Sequence, residues 1–85
     1  MTEQNVKEQL EKEIKKWTRK LGETVDGTRA LDRKGFDFLT NIKAYQSDSL
    51  HFYQKGDLVR CFEALIWAWA YCEIGRETGI LSGRV

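Results

Sequence analysis

The sequence predicts an all-α protein: a three-helix, up-and-down bundle of long helices in one domain over residues 1–85. Three observations predict it. Apolar residues recur at spacings of three and four over three long stretches, the period of one helix face. Glycines separate these stretches and the chain has no proline, so no helix is forced to kink. Strand signals are missing: no apolar–polar alternation occurs, and the single Asp-Gly pair, Asp26-Gly27, is flanked by helical patterns.

The first helix is expected over residues 3–21. Val6, Leu10, Ile14, Trp17 and Leu21 form a narrow stripe with spacings of 4, 4, 3 and 4. Asn5 with Glu8 makes a capping box, or Thr2 caps one turn earlier. Glu3–Lys7, Glu8–Lys12 and Glu11–Lys15 are acid-before-base pairs at i,i+4, each worth about 0.2–0.5 kcal/mol. Five apolar anchors make this the most weakly held helix, and Gly22 is its expected stop.

The second helix is expected over 28–55, capped by Thr28 or Asp26. Leu31, Gly35, Phe38, Ile42, Tyr45, Ser49 and Phe52 alternate strictly in steps of four and three. Such a seam packs against a near-antiparallel neighbour at about 20°. Gly35 costs roughly 1 kcal/mol of helix propensity relative to Ala. Its expected return is the close approach of an aromatic ring or another backbone. Ser49 can bond its own i−4 carbonyl. His51 and Arg33 point away from the seam.

The third helix is expected over 57–78. Lys55-Gly56-Asp57 reads as a stop followed at once by a start: Gly56 takes the left-handed conformation and Asp57 caps the next helix. So short a link holds its two helices antiparallel. Leu58, Cys61, Phe62, Leu65, Ala68, Trp69 and Cys72 share one face. Trp67, Ala70, Tyr71 and Ile74 point away from it, with Ile66 at the border. A helix apolar on both sides needs cover from another chain when its own chain is this short. Gly79 is the expected stop, with Ile80 folding back toward Ile74.

Lys34-Gly35-Phe36-Asp37-Phe38-Leu39, Ile42-Lys43-Ala44-Tyr45, Phe52-Tyr53-Gln54-Lys55-Gly56-Asp57 and Phe62-Glu63-Ala64-Leu65, followed by Ala68, Gly75 and Gly79, form a pattern over about residues 28–81. It resembles a mostly archaeal family of small helical proteins, domain of unknown function 357. The resemblance implies a left-handed, up-and-down three-helix bundle. It implies no activity and carries over no catalytic residue. Cys61 stands where the family pattern suggests a small residue such as alanine.

Composition narrows the function classes. Charged residues make up 32% of the chain yet nearly cancel, at net +1. That balance disfavours a dedicated nucleic-acid tail or a polybasic membrane anchor. No apolar run is long enough to span a bilayer, and the polar N-terminus is no signal peptide. The expected location is the cytoplasm. Cys61 and Cys72 lie about three turns apart on one helix, too far to bridge, and read as small buried hydrophobes. Two cysteines with the lone His51 are too few for a zinc site. No phosphate loop or metalloprotease, redox or hydrolase motif occurs. The carboxylate pairs Asp32 with Asp37, and Glu73 with Glu77, read as solvated acids. No catalytic residue, cofactor or metal is expected, and the chain reads as a non-enzyme.

Two binding readings remain. The first is a protein-interaction or self-assembly module, working as a homodimer or on a protein partner through Ile66, Trp67, Ala70, Tyr71 and Ile74. The second is an anion or nucleic-acid binder. Chain direction brings the end of the first helix, the start of the second and the end of the third to one pole. Lys16, Arg19, Lys20, Arg29, Arg33, Lys34 and Arg76 would gather there, beside the free N–H groups of a helix start. Glu23, Asp26, Asp32, Glu73 and Glu77 share that pole and oppose its field.

Overall fold

The computed structural model describes residues 3–83, with side chains from Asn5 onward. Its elements are α1 (Glu3–Asp26), β1 (Arg29–Ala30), α2 (Arg33–Gln54), α3 (Leu58–Glu77) and β2 (Leu81–Ser82). The three helices run up, down and up. The expected cap at Thr2 and the Glu3–Lys7 pair lie outside the described residues. Among the described residues, Glu8–Lys12 and Glu11–Lys15 do not close into ion pairs, whereas Arg19–Glu23 and Asp57–Arg60 do pair, each at 3.5 Å.

α1 runs five residues past its expected last residue, Leu21. Gly22 keeps a negative φ and stays within the helix. The extra turn buries Thr24 and Val25. Burying a valine gains about 1.5–3 kcal/mol, more than the roughly 1 kcal/mol a mid-helix glycine costs. The helix ends where Thr28 closes it. The Thr28 hydroxyl donates to the Thr24 carbonyl at 2.7 Å, and its N–H donates to Val25 at 3.0 Å.

The start of α2 also differs from expectation. Residues 28–32 are not helical. Arg29 and Ala30 pair antiparallel with Ser82 and Leu81, and the Leu31 N–H donates to the Ile80 carbonyl at 3.0 Å. Asp32, rather than Thr28 or Asp26, is the cap, accepting from the Gly35 N–H at 2.8 Å. Leu31, the expected first residue of the seam, stands outside the helix and is 59% exposed. The close approach expected at Gly35 is made by backbone: a Cβ there would overlap the Ile80 carbonyl oxygen.

The α2–α3 turn matches its sequence signals. Gly56 has φ +79°. Its N–H donates to Tyr53, and the Asp57 N–H donates to Phe52 at 2.9 Å, which satisfies the last carbonyls of α2. The Asp57 side chain then accepts from the Arg60 N–H at 3.1 Å. α3 ends the same way: Gly79 has φ +78° and the Ile80 N–H reaches the Gly75 carbonyl. Ile80 packs on the core while Ile74 is 52% exposed.

The core joins Leu21 and Val25 of α1, Ile42 of α2, Leu65, Ala68 and Cys72 of α3, and Leu81 of β2. Both cysteines are buried and unpaired. Ser49 bonds across the bundle rather than to its own helix: its hydroxyl donates to the Cys61 carbonyl at 3.0 Å. α2 and α3 pack closely along their length and α1 rests on α3, whereas α1 and α2 barely approach each other.

Candidate functional site

The buried residues of α3 are Cys61, Ala64, Leu65, Ala68, Cys72 and Gly75. Three of them, Ala64, Ala68 and Gly75, are small, and Gly75 makes room for the Leu81 side chain. The core direction therefore turns toward these small residues. Phe62 and Trp69, which the sequence places on the core face, are half-buried flanks.

That rotation corrects one member of the predicted outer ridge. Tyr71 is half-buried in the α2–α3 seam, edge-on to Phe38 with ring centroids 4.9 Å apart and stacked on Tyr45 at 5.7 Å. Its cover comes from α2. Ala70 is half-buried. The other three stand out: Ile66 is 51% exposed, Trp67 58% and Ile74 52%. Trp67 leans one face toward Tyr45, centroids 6.4 Å apart and 19° from parallel, which orients the indole. Val59, 64% exposed, extends the same face. The sequence signal for it was its place two helical turns before Ile66.

α1 meets α3 through tryptophans. Trp17 and Trp69 are edge-to-face at 5.7 Å and 87°. Lys16 and Lys20 place their ammonium groups 5.2 and 4.9 Å from the Trp17 ring centroid, within cation–π range. The Trp17 Nε1–H donates to Glu13 at 3.2 Å. The Trp69 Nε1–H is buried without an acceptor among the described residues. A cleft of about 860 Å³ opens here between α1 and α3, with Lys20, Glu23 and Glu73 around an aromatic wall. A second cleft, of about 530 Å³, lies between α1 and α2.

The basic pole does not assemble as expected. Because α1 ends at Asp26, Lys16, Arg19 and Lys20 sit about 9–15 Å back along its axis. Two of them lie over Trp17, and Arg19 pairs with Glu23. Arg33 and Lys34 open α2, Arg29 lies in β1, and Arg76 is in the last turn of α3. The α2 start is already capped by Asp32, so one of its N–H groups is committed.

Burial raises the Cys72 thiol above its ordinary pKa, near 9.0. Arg76 opposes that shift and Glu73 adds to it. Among the described residues no cluster of His, Cys, Asp and Glu could hold a metal ion. No helix of the described residues is long and apolar enough to cross a membrane.

No curated protein matches the chain significantly. The crystal structure of protein AF1782 from Archaeoglobus fulgidus, a DUF357 structure, is 44% identical. It superposes with a TM-score of 0.84, over 93% of this chain and 99% of that one. The family model for DUF357, a protein of unknown function, matches residues 5–81. With the helical hairpin, its capped turn and this close structural likeness in agreement, the chain belongs to the DUF357 family.

Proposed function

We propose that this protein is a non-catalytic self-assembly module of the cytoplasm, pairing with a second copy through the outer face of α3. One observation carries the reading. Four large apolar side chains, Val59, Ile66, Trp67 and Ile74, stand more than half exposed on that helix. A contiguous exposed apolar face marks an interaction surface more often than scattered single residues do.

The order of these residues favours a second copy. Val59 lies seven residues before Ile66, and Ile74 seven after Trp67. The apolar pattern is thus symmetric about the middle of the helix. A two-fold axis there sets Val59 against the partner's Ile74 and Ile66 near the partner's Trp67, the self-complementary arrangement of a cyclic dimer. Trp67 is the expected anchor, since indoles combine large apolar area with a polar edge. Arg60 and Glu63 would lie at the rim. The buried, unpaired thiols suit a reducing compartment.

Light scattering at high micromolar concentration tests this. The expected result is a dimer mass that Ile66→Glu with Ile74→Glu halves while helicity stays unchanged. Those positions spare the Trp67–Tyr45 stack. A wild-type protein that is monomeric under the same conditions overturns the reading.

A further inference from the structure

We propose that the cleft between α1 and α2 binds a long-chain carboxylate, its alkyl tail inside and its head at Lys15 and Arg19. The site lies on the far side of α3 from the proposed dimer face and does not depend on it. The cleft exists because α1 and α2 both rest on α3 without closing on each other. Its volume, about 530 Å³, falls within the range of small-molecule sites, about 300–1,000 Å³.

Its chemistry is that of an amphipathic ligand. Leu50, 58% exposed, and the half-buried Tyr53 ring supply the open apolar surface, over a closed floor of Ile14, Leu21 and Leu65. The floor makes no polar demand, because the Ser49 hydroxyl already donates to the Cys61 carbonyl at 3.0 Å. A tail that ends there leaves no protein hydrogen bond unmade.

The rim sets the sign of the head. Lys15 and Arg19 both line the cleft, and no carboxylate does. One helical turn apart, their Cβ atoms are about 5–6 Å from each other, close enough to share one small anion. Arg19 is half committed to Glu23 at 3.5 Å, whereas Lys15 makes no ion pair among the described residues. The uncompensated charge at the rim is therefore close to one. That matches a carboxylate better than a doubly charged phosphate. Gln46 and Tyr53 line the opposite wall and bring an amide and a phenol within the same cleft.

Dodecanoate, held below its micellar concentration, is the probe for titration calorimetry and amide chemical-shift mapping. The expected result is one site per chain, with shifts at Thr18, Gln46 and Leu50. Dodecyltrimethylammonium, with the same tail and the opposite head, should bind at least about tenfold more weakly. Lys15→Glu should weaken dodecanoate by about tenfold or more, in line with losing a charged hydrogen-bond partner. Thr18→Trp fills the cleft from an exposed position and should abolish binding with helicity retained. Ile66→Glu with Ile74→Glu should leave binding unchanged, which separates this site from the dimer face. Equal affinity for both head groups, indifference to Lys15→Glu and Thr18→Trp, or shifts confined to the outer face of α3 would each overturn the proposal.

Discussion

The two ends of the bundle are built on different principles. Where α2 turns into α3, the hydrogen bonds of the turn are local: Gly56 folds the chain back, Asp57 caps the next helix, and their bonds reach no further than Phe52 and Cys61. At the other end the contacts are long-range. β1 pairs with β2 some fifty residues away, Gly35 accepts the Ile80 backbone, and Leu81 drops into the core against Gly75. A local turn tolerates change residue by residue. A clasp of distant segments fails as a unit, because each contact positions the next.

The strongest way to break this comparison is Gly35→Ala. Helix propensity alone predicts a gain of about 1 kcal/mol. The clasp predicts a loss, since the new methyl meets the Ile80 backbone rather than a flexible side chain. Overpacking of this kind costs about 1–3 kcal/mol or more. The melting temperature should fall by roughly 10 °C, given about 4–8 °C per kcal/mol for a domain of this size. A rise in melting temperature would show that the clasp yields freely.

Leu81→Ala probes the same end without adding atoms. Leu81 is 3% exposed, and truncating a buried leucine costs about 2–5 kcal/mol. The upper part of that range is not expected, because β2 is only two residues long and can relax into the gap. Denaturant unfolding should show a loss near 2 kcal/mol with an unchanged slope. Asp57→Ala, at the local end, should cost only about 1 kcal/mol, the usual value of a helix cap. If Asp57→Ala costs more than Leu81→Ala, the contrast between the two ends is wrong.

The same contrast explains what could be read from the sequence. The helix count, the Gly56-Asp57 turn and the Gly79 stop rest on neighbouring residues, and all three were legible. The clasp was not: Arg29-Ala30 and Leu81-Ser82 carry no strand pattern, and their pairing exists only once the helices bring them together. That missing information misplaced two boundaries. Gly22 resembled a stop until the burial of Val25 was known, and Thr28 resembled a cap until Asp32 was freed for that task by β1. The outer face of α3 was half legible. Ile66, Trp67 and Ile74 are exposed as expected, but Ala70 and Tyr71 are half-buried. The buried positions of α3 include the small residues Ala64, Ala68 and Gly75, and a wheel that weights large side chains turns the core away from them.

The smallest expected effect lies in the core between the two ends and appears only in alkali. Burial raises the Cys72 thiol above its ordinary pKa, near 9.0, and the nearby Arg76 opposes that shift only in part. The folded state therefore holds the proton more tightly than the unfolded state does. By linkage, the contribution is fully present below the unfolded pKa and is lost as pH rises through the higher folded value. At neutral pH the thiol is protonated in both states and the shift has no effect on the slope of stability against pH. Above about pH 9 the unfolded chain releases its proton first, and stability should decline. Lysines and tyrosines titrate in the same range, so the informative quantity is a difference. Denaturant unfolding of the wild type and of Cys72→Ala, at pH 7.5 and again at pH 10, isolates it. Removing the sulfur lowers stability at both values through lost packing. It should also make the loss between the two pH values smaller than in the wild type. Equal losses in both proteins would mean that the core opens enough around Cys72 to solvate a thiolate, so that the clasp end is looser than its contacts indicate.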